Sequence, residues 1–463
     1  MKDETLNVAF PGDFTWGVAT SSYQIEGGAH ADGRGPSIWD TFCATPGAIE
    51  DGSSGDVACD HYHRYRDDVR LLGQELGVRG YRFSVAWPRV IPSGRGAINP
   101  AGLDFYDRLV DALLEQGIAP CPTLYHWDLP QPLEDAGGWP ERDTVSAFAD
   151  YTVAVVARLK DRVTQWITIN EAWCAAWLGY AQGDHAPGRK EPGAALAAVH
   201  HLLMAHGQAT RIIQAEVPAA RVGISHLCLH AMPASSSEQD RRAADKLDGF
   251  FNRWFLDPLY RGEYPVDVIA DHQRAGHLSG DALPFVMPGD MALISTPTSL
   301  LGVNYYTRGV ARSDEVAEAE NAPRTIAEPE AESLTDMGWE IYPDGLRAAL
   351  TRCHRDYHPE QIDVTENGCA FDTPPDAHGV VDDQGRIGYL RGHLGACRQA
   401  IEEGVPLGGY YLWSAFDNFE WAFGYAKRFG VIWVDFESGQ RIIKNSGRWY
   451  ASLIANRGVE RSP

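Results

Sequence analysis

Short apolar runs and longer amphipathic stretches take turns along the chain. The runs lie near residues 14–20, 78–87, 118–126, 163–170, 221–228, 299–306, 361–366 and 407–414. Each has the length of a strand buried on both faces. The stretches between them repeat on a helical period. Tyr62, Tyr65, Val69, Leu72 and Leu76 are spaced 3, 4, 3 and 4 residues apart, one face of a helix. A second helix is predicted to open at Asn99–Pro100, an N-cap followed by proline at the first helical position. Its buried face is Phe105, Leu109, Ala112 and Leu113. Helical patterns near 141–161, 191–217, 240–255, 343–357, 388–404 and 444–456 complete the alternation.

Eight strand–helix units predict a parallel sheet covered by helices and closed on itself, a single (β/α)8 barrel over residues 1–463 with extended βα loops. The rival is an open doubly wound sheet. Its Gly-rich phosphate loop is missing, since "GVATSSYQIEGGAH" after the first run is not GxGxxG. The Glu-rich stretch 315–333 reads as a solvated excursion after the sixth strand, or as a flap beside the mouth.

In such a barrel the chemistry collects at the C-terminal ends of the strands. Those ends supply Gln24, Arg82, His126–Trp127, Asn170–Glu171, Asn304 with Tyr306, Glu366, and Trp413. In "QIDVTENG", Ile362 and Val364 read as buried positions on alternate residues, and Glu366 follows as the next inward position. A lone acid there is costly unless its charge is used. "WITINEAW" repeats the form, an apolar strand ending in Asn170–Glu171. Each polar end has a structural explanation by itself, and Arg82 or His126 would serve as an ordinary core partner. Convergence of all of them on one rim is harder to explain as packing. Two carboxylates with amides, His and Trp are the equipment of glycoside hydrolysis.

Composition removes other classes. A net charge of −23 disfavours nucleic acid and anionic membrane surfaces as partners. The N-terminus lacks an apolar signal segment, and no uninterrupted run reaches membrane-spanning length, so a cytoplasmic protein is expected. Eight cysteines without a CxxC fit reduced thiols better than structural zinc. The histidines of "HYH" (61–63) and "HHLLMAH" (200–206) fall on predicted helices, so no metal and no cofactor is expected. Neither a GxSxG elbow nor a P-loop is present for acyl or phosphoryl transfer.

The sequence resembles glycoside hydrolase family 1, the β-glucosidase-type family, from about Phe10 to Asn456. The resemblance rests on "FTWGVATSSYQIEG", "YRFSVAWPRV", "TLYHWDLPQ", "TINEAW", "GVNYYT", "VTENG" and "WSAFDNFEWAFGYAKRFG", in that order. It implies Glu171 as acid/base and Glu366 as nucleophile, a retaining mechanism, and carboxyl groups about 5–5.5 Å apart. Arg82 and Tyr306 would orient the nucleophile. Gln24, His126, Trp127, Asn170, Asn304, Glu420 and Trp421 would bind the nonreducing sugar over Trp413, and Trp339 would stack on the leaving group. Glu420 argues against the branch that cleaves 6-phosphorylated glycosides, because a carboxylate would repel the phosphate. The family usually has proline where Ala172 stands, and Cys174 falls on the leaving-group side as neither ligand nor nucleophile. The implied activity is a retaining exo-β-glucosidase on small-molecule β-glucosides and cello-oligosaccharides, as a monomer or small homo-oligomer. β-Galactosidase, β-fucosidase or transglycosylase action shares the chemistry. A non-catalytic glycoside-binding barrel is the reading from a different class.

Overall fold

The computed structural model describes residues 6–7, 9–280, 283–314, 329–330 and 333–460. Eight parallel strands close into a barrel: β1 (Thr15–Ala19), β2 (Gly80–Ser84), β3 (Ala119–Tyr125), β4 (Gln165–Asn170), β5 (Arg221–Leu227), β6 (Leu300–Asn304), β7 (Ile362–Asn367) and β8 (Leu407–Trp413). Each strand pairs with its successor, and β8 returns to β1 in the register Thr15↔Gly409 to Ala19↔Trp413. All eight predicted runs are strands of this one barrel.

The helical faces also fold as their spacing requires. Tyr62, Tyr65, Val69, Leu72 and Leu76 are all buried, along the helix His61–Arg70 and its wider continuation Leu71–Glu75. The helix Pro100–Glu115 begins after Asn99, yet Asn99 caps nothing with its side chain. Its amide donates instead to the carbonyls of Asp32 and Arg89, at 2.8 and 2.9 Å, and ties two loops together. The candidate-metal histidines are occupied elsewhere. His61 pairs with Asp68, His200 with Tyr264 and Asp290, and His206 with Thr168. No helix among the described residues is long and apolar enough to cross a membrane. Most of the Glu-rich stretch 315–333 lies outside the described residues.

Alternation along β7 does not run as its sequence suggests. Asp363 accepts from Gln165 of β4 at 2.9 Å, and Thr365 bonds Asn304 and Ser225, so these two residues point into the barrel. Ile362 and Val364 have the opposite parity and belong to the large apolar core. Simple alternation would therefore send Glu366 outward with them. A β-bulge intervenes: β7 advances from Val364 to Glu366 while β6 advances only from Val303 to Asn304. The extra residue turns Glu366 inward beside Thr365. β4 carries the same irregularity, Ile167 to Asn170 against Gly223 to Ser225 on β5. Both candidate acids thus follow a bulged strand end.

Gly368 completes the β7 turn. A β-carbon there would overlap the carbonyl oxygen of Trp413, which is backbone and has nowhere to go. Gly368→Ala is predicted to destabilise the fold by about 1–3 kcal/mol or more and to lower kcat/KM, since Glu366 and Trp413 flank it. Chemical denaturation of the variant beside its activity checks this, and unchanged stability would contradict the geometry.

Candidate active site

Arg82 lies mid-way along β2 rather than at its end, opposite Ala19 on β1 and Cys121 on β3. Its side chain is fully surrounded by acceptors. Nε donates to Thr123 Oγ1 at 3.0 Å, Nη1 to the Thr365 carbonyl at 3.0 Å and Glu366 Oε1 at 2.5 Å, and Nη2 to Asn170 Oδ1 at 2.6 Å. The other Glu366 oxygen accepts from Tyr306 Oη at 2.6 Å. Burial and the nearby Glu366 carboxylate hold the Tyr306 phenol protonated, so it remains a donor.

Asn170 links the two acids. Its Oδ1 accepts from both Arg82 and Asn304 Nδ2, which fixes the amide's orientation and leaves Nδ2 to donate to His126 Nε2 at 3.1 Å. His126 is buried beside Arg82, and both facts depress its pKa, so the ring is neutral with its proton on Nδ1. That Nδ1 has no partner among the described residues. Asn304 reaches past Asn170 to donate to Glu171 Oε1 at 2.8 Å.

Glu171 has no ion pair of its own among the described residues. Burial first, and the Glu366 carboxylate second, raise its pKa to about 8. Asn304, Cys174 and Arg82 pull in the other direction and only partly offset this. Two carboxyl groups therefore share one site in different environments, one paired with a guanidinium and one inclined to keep its proton. Glu171 also has left-handed backbone at φ 45°, and Trp127 and Trp421 share that region at φ 77° and 50°. Such strain persists only where the surroundings over-determine it. Here the Glu171 N–H is held by the Ser225 carbonyl at 2.9 Å, and Trp127 Nε1 by the Asn170 carbonyl at 3.0 Å.

The cavity above this network has a volume near 870 Å3. His126, Trp127, Glu171, Tyr306, Trp339, Glu366, Trp413, Glu420 and Trp421 line it. Arg82, Asn170 and Asn304 stand directly behind, bonded to the two acids or to each other. Gln24 joins from the first βα loop, donating to the Phe419 carbonyl at 2.8 Å and to Glu420 Oε2 at 3.3 Å. Burial lifts the Glu420 carboxyl to about 8, against hydrogen bonds from Asn418 and Gln24. All thirteen residues named from the sequence meet at one cavity.

Two buried carboxyls at the C-terminal mouth of a closed barrel suit glycoside hydrolysis in general, and comparison with known proteins narrows this to one family. The model for glycosyl hydrolase family 1 matches residues 6–459. The chain belongs to that family. Beta-glucosidase A of Thermotoga maritima is 44% identical over 453 residues, 97% of this chain and 99% of that one. The bifunctional beta-D-glucosidase/beta-D-fucosidase of Bifidobacterium breve is 44% identical over 471 residues, 98% of this chain and 100% of that one. The solved Thermotoga maritima beta-glucosidase in complex with glucoimidazole superposes with a TM-score of 0.91 at 43% identity, over 98% of this chain and 100% of that one.

Sequence reasoning missed part of what completes this family 1 site. Thr123 and Thr365 bond the acids' partners Arg82 and Asn304 from inside the barrel, and Ser225 donates in turn to Thr365. Small hydroxyls inside apolar strands were the available signal, but they are common in strands of any function. Cys174, assigned only to the leaving-group side, touches Glu171 itself at 3.1 Å.

The raised carboxyl groups make stability depend on pH with a definite sign. Glu171 and Glu420 hold their protons more tightly folded than unfolded. Their contribution is present below the ordinary carboxyl value of 4.5 and lost as pH rises through about 8. Glu171→Gln removes one such charge, so its thermal midpoint relative to wild type should rise steadily between about pH 5 and 8.5. A difference independent of pH would show that Glu171 titrates as an ordinary carboxyl.

Proposed function

We propose that this family 1 enzyme is a retaining exo-β-glucosidase that works by double displacement. The observation that carries the proposal is the split between the two acids: Glu366 paired with Arg82 and Tyr306, Glu171 unpaired and protonated to about pH 8. Glu366 attacks the anomeric carbon as Glu171 gives its proton to the leaving oxygen, and a glycosyl ester forms on Glu366. Esterification removes the negative charge that helped to raise the Glu171 pKa. That pKa then falls, and the same carboxyl takes the proton of the water that releases the sugar.

The sugar end supports an unphosphorylated terminal glucosyl residue. Gln24, His126 and Glu420 offer donors and acceptors at the tryptophan-walled end of the cavity, and Trp413 gives a flat face for a pyranose. Asn170, bonded to both networks, is assigned to the 2-hydroxyl, where hydrogen bonds strengthen in the transition state. The two cations that follow Glu420 in the sequence are already engaged: Lys427 Nζ donates to the Asp336 carbonyl at 2.7 Å, and Arg428 pairs with Asp417 at 2.8 Å. Beyond the acids, Trp173, Leu178, Phe251 and Trp339 give an apolar wall suited to aryl and alkyl aglycones and to the face of a second glucose. The fucosidase activity named for the Bifidobacterium breve relative makes β-fucosides the second substrate class to assay.

Exposure to 2-deoxy-2-fluoro-β-glucosyl fluoride should leave a stable one-sugar adduct on Glu366, read by intact mass and peptide mapping. Glu366→Ala should lose turnover and regain some with azide, as the inverted glycosyl azide. Absence of any adduct, with the galacto analogue inert as well, would favour the binding-barrel reading. Glu171→Ala should lose far more rate on cellobiose than on 2,4-dinitrophenyl β-glucoside, since general acid assistance is worth about 10²–10⁴ where the leaving group is poor. Equal losses on both would remove Glu171 from the acid role.

A further inference from the structure

Cys174 follows Glu171 by three residues, which on the helical turn beginning at Ala172 brings the two side chains to one face. Its Sγ lies 3.1 Å from Glu171 Oε2, while Asn304 Nδ2 lies 2.8 Å from Oε1. Each oxygen of the acid/base therefore has one donor. The thiol stands in the cavity wall, and burial with the adjacent carboxyl groups pushes its pKa well up. It is an S–H donor throughout the working pH range, unable to compete as a charge.

We propose that Cys174 is a positioning residue for the acid/base: its S–H fixes the Glu171 carboxyl plane from the side opposite Asn304 and favours the ionised form that must accept the proton of water. This rests on the double-displacement reading. Two steps make opposite demands on one carboxyl. The first needs it protonated within a buried site; the second needs it ionised in the same place. A weak donor suits both, because it stabilises the anion without holding it so strongly that the acid form disappears. A carboxamide, hydroxyl or ammonium at this position would shift the balance further. The other charged or titratable groups facing Glu171 are Glu366 from β7 and Arg82 from β2, with Tyr306 and Glu420 across the cavity. None of them changes when Cys174 is replaced.

The test compares Cys174→Ala, which removes the donor, with Cys174→Ser, which replaces it by a stronger one. Losing a hydrogen bond to the anion raises the Glu171 pKa, so the alkaline limb of kcat/KM on cellobiose should move up in Cys174→Ala, by about half a pH unit or more. In Cys174→Ser it should move down. On 2,4-dinitrophenyl β-glucoside, whose departure needs no acid, kcat reports the second step. Its acid limb should follow Glu171 in the same directions, while kcat/KM for that substrate changes little near neutral pH. Trapping with the 2-fluoro glucosyl fluoride counts correctly folded sites in each variant. Uniform rate losses with unmoved limbs in both variants would reduce Cys174 to packing and overturn the proposal. Failure of wild type to trap at Glu366 would instead overturn the double-displacement reading itself.

Discussion

A buried guanidinium at the centre of the barrel is the constraint on which the site depends. Arg82 and Glu366 are both almost wholly removed from water, at 1% and 4% side-chain exposure. Such a pair costs more in desolvation than it returns unless the remaining donors and lone pairs are satisfied. Thr123, the Thr365 carbonyl and Asn170 take three more Arg82 donors, and Tyr306 takes the second Glu366 oxygen. Removing one member would leave a charge in apolar surroundings. The residues come from several strands, so the ion pair also locks the barrel's circumference at the level where substrate would sit.

That lock explains the asymmetry of the two acids. Arg82 pairs directly with Glu366 and reaches the Glu171 side only through neutral amides, Asn170 and then Asn304. Glu171 receives orientation without a neutralising contact. Burial then decides its protonation, and the Glu366 charge adds to the effect. Two chemically identical side chains meet different surroundings because one cation is placed beside only one of them. The same low-dielectric surroundings leave Glu420, across the cavity, disposed to be neutral.

Backbone irregularity is the other half of the device. Regular strands would alternate their side chains and leave Glu366 facing the helices with Ile362 and Val364. The bulges in β4 and β7 break that period at the strand ends. Left-handed backbone at Glu171, Trp127 and Trp421 continues the pattern. Glu171 and Trp127 are held by hydrogen bonds to the Ser225 and Asn170 carbonyls, and the barrel underneath provides the support.

Much of this was legible in the chain itself. The eight apolar runs and the helical spacing between them determined the barrel, because burial on both faces and on one helical stripe are local demands on composition. The seven sequence blocks determined the family and both candidate acids. Asn99 and β7 show where local pattern runs out: a capping residue was diverted to two distant carbonyls, and a strand's parity was reversed by one extra residue. Cys174 shows the same limit in the site, since one helical turn brings it near Glu171 but only the conformation at φ 45° brings sulfur to oxygen. The protonation of Glu171 was beyond any local reading. It depends on how completely water is excluded and on which charges cross the barrel to meet it, and those are properties of the closed structure rather than of any segment of the chain.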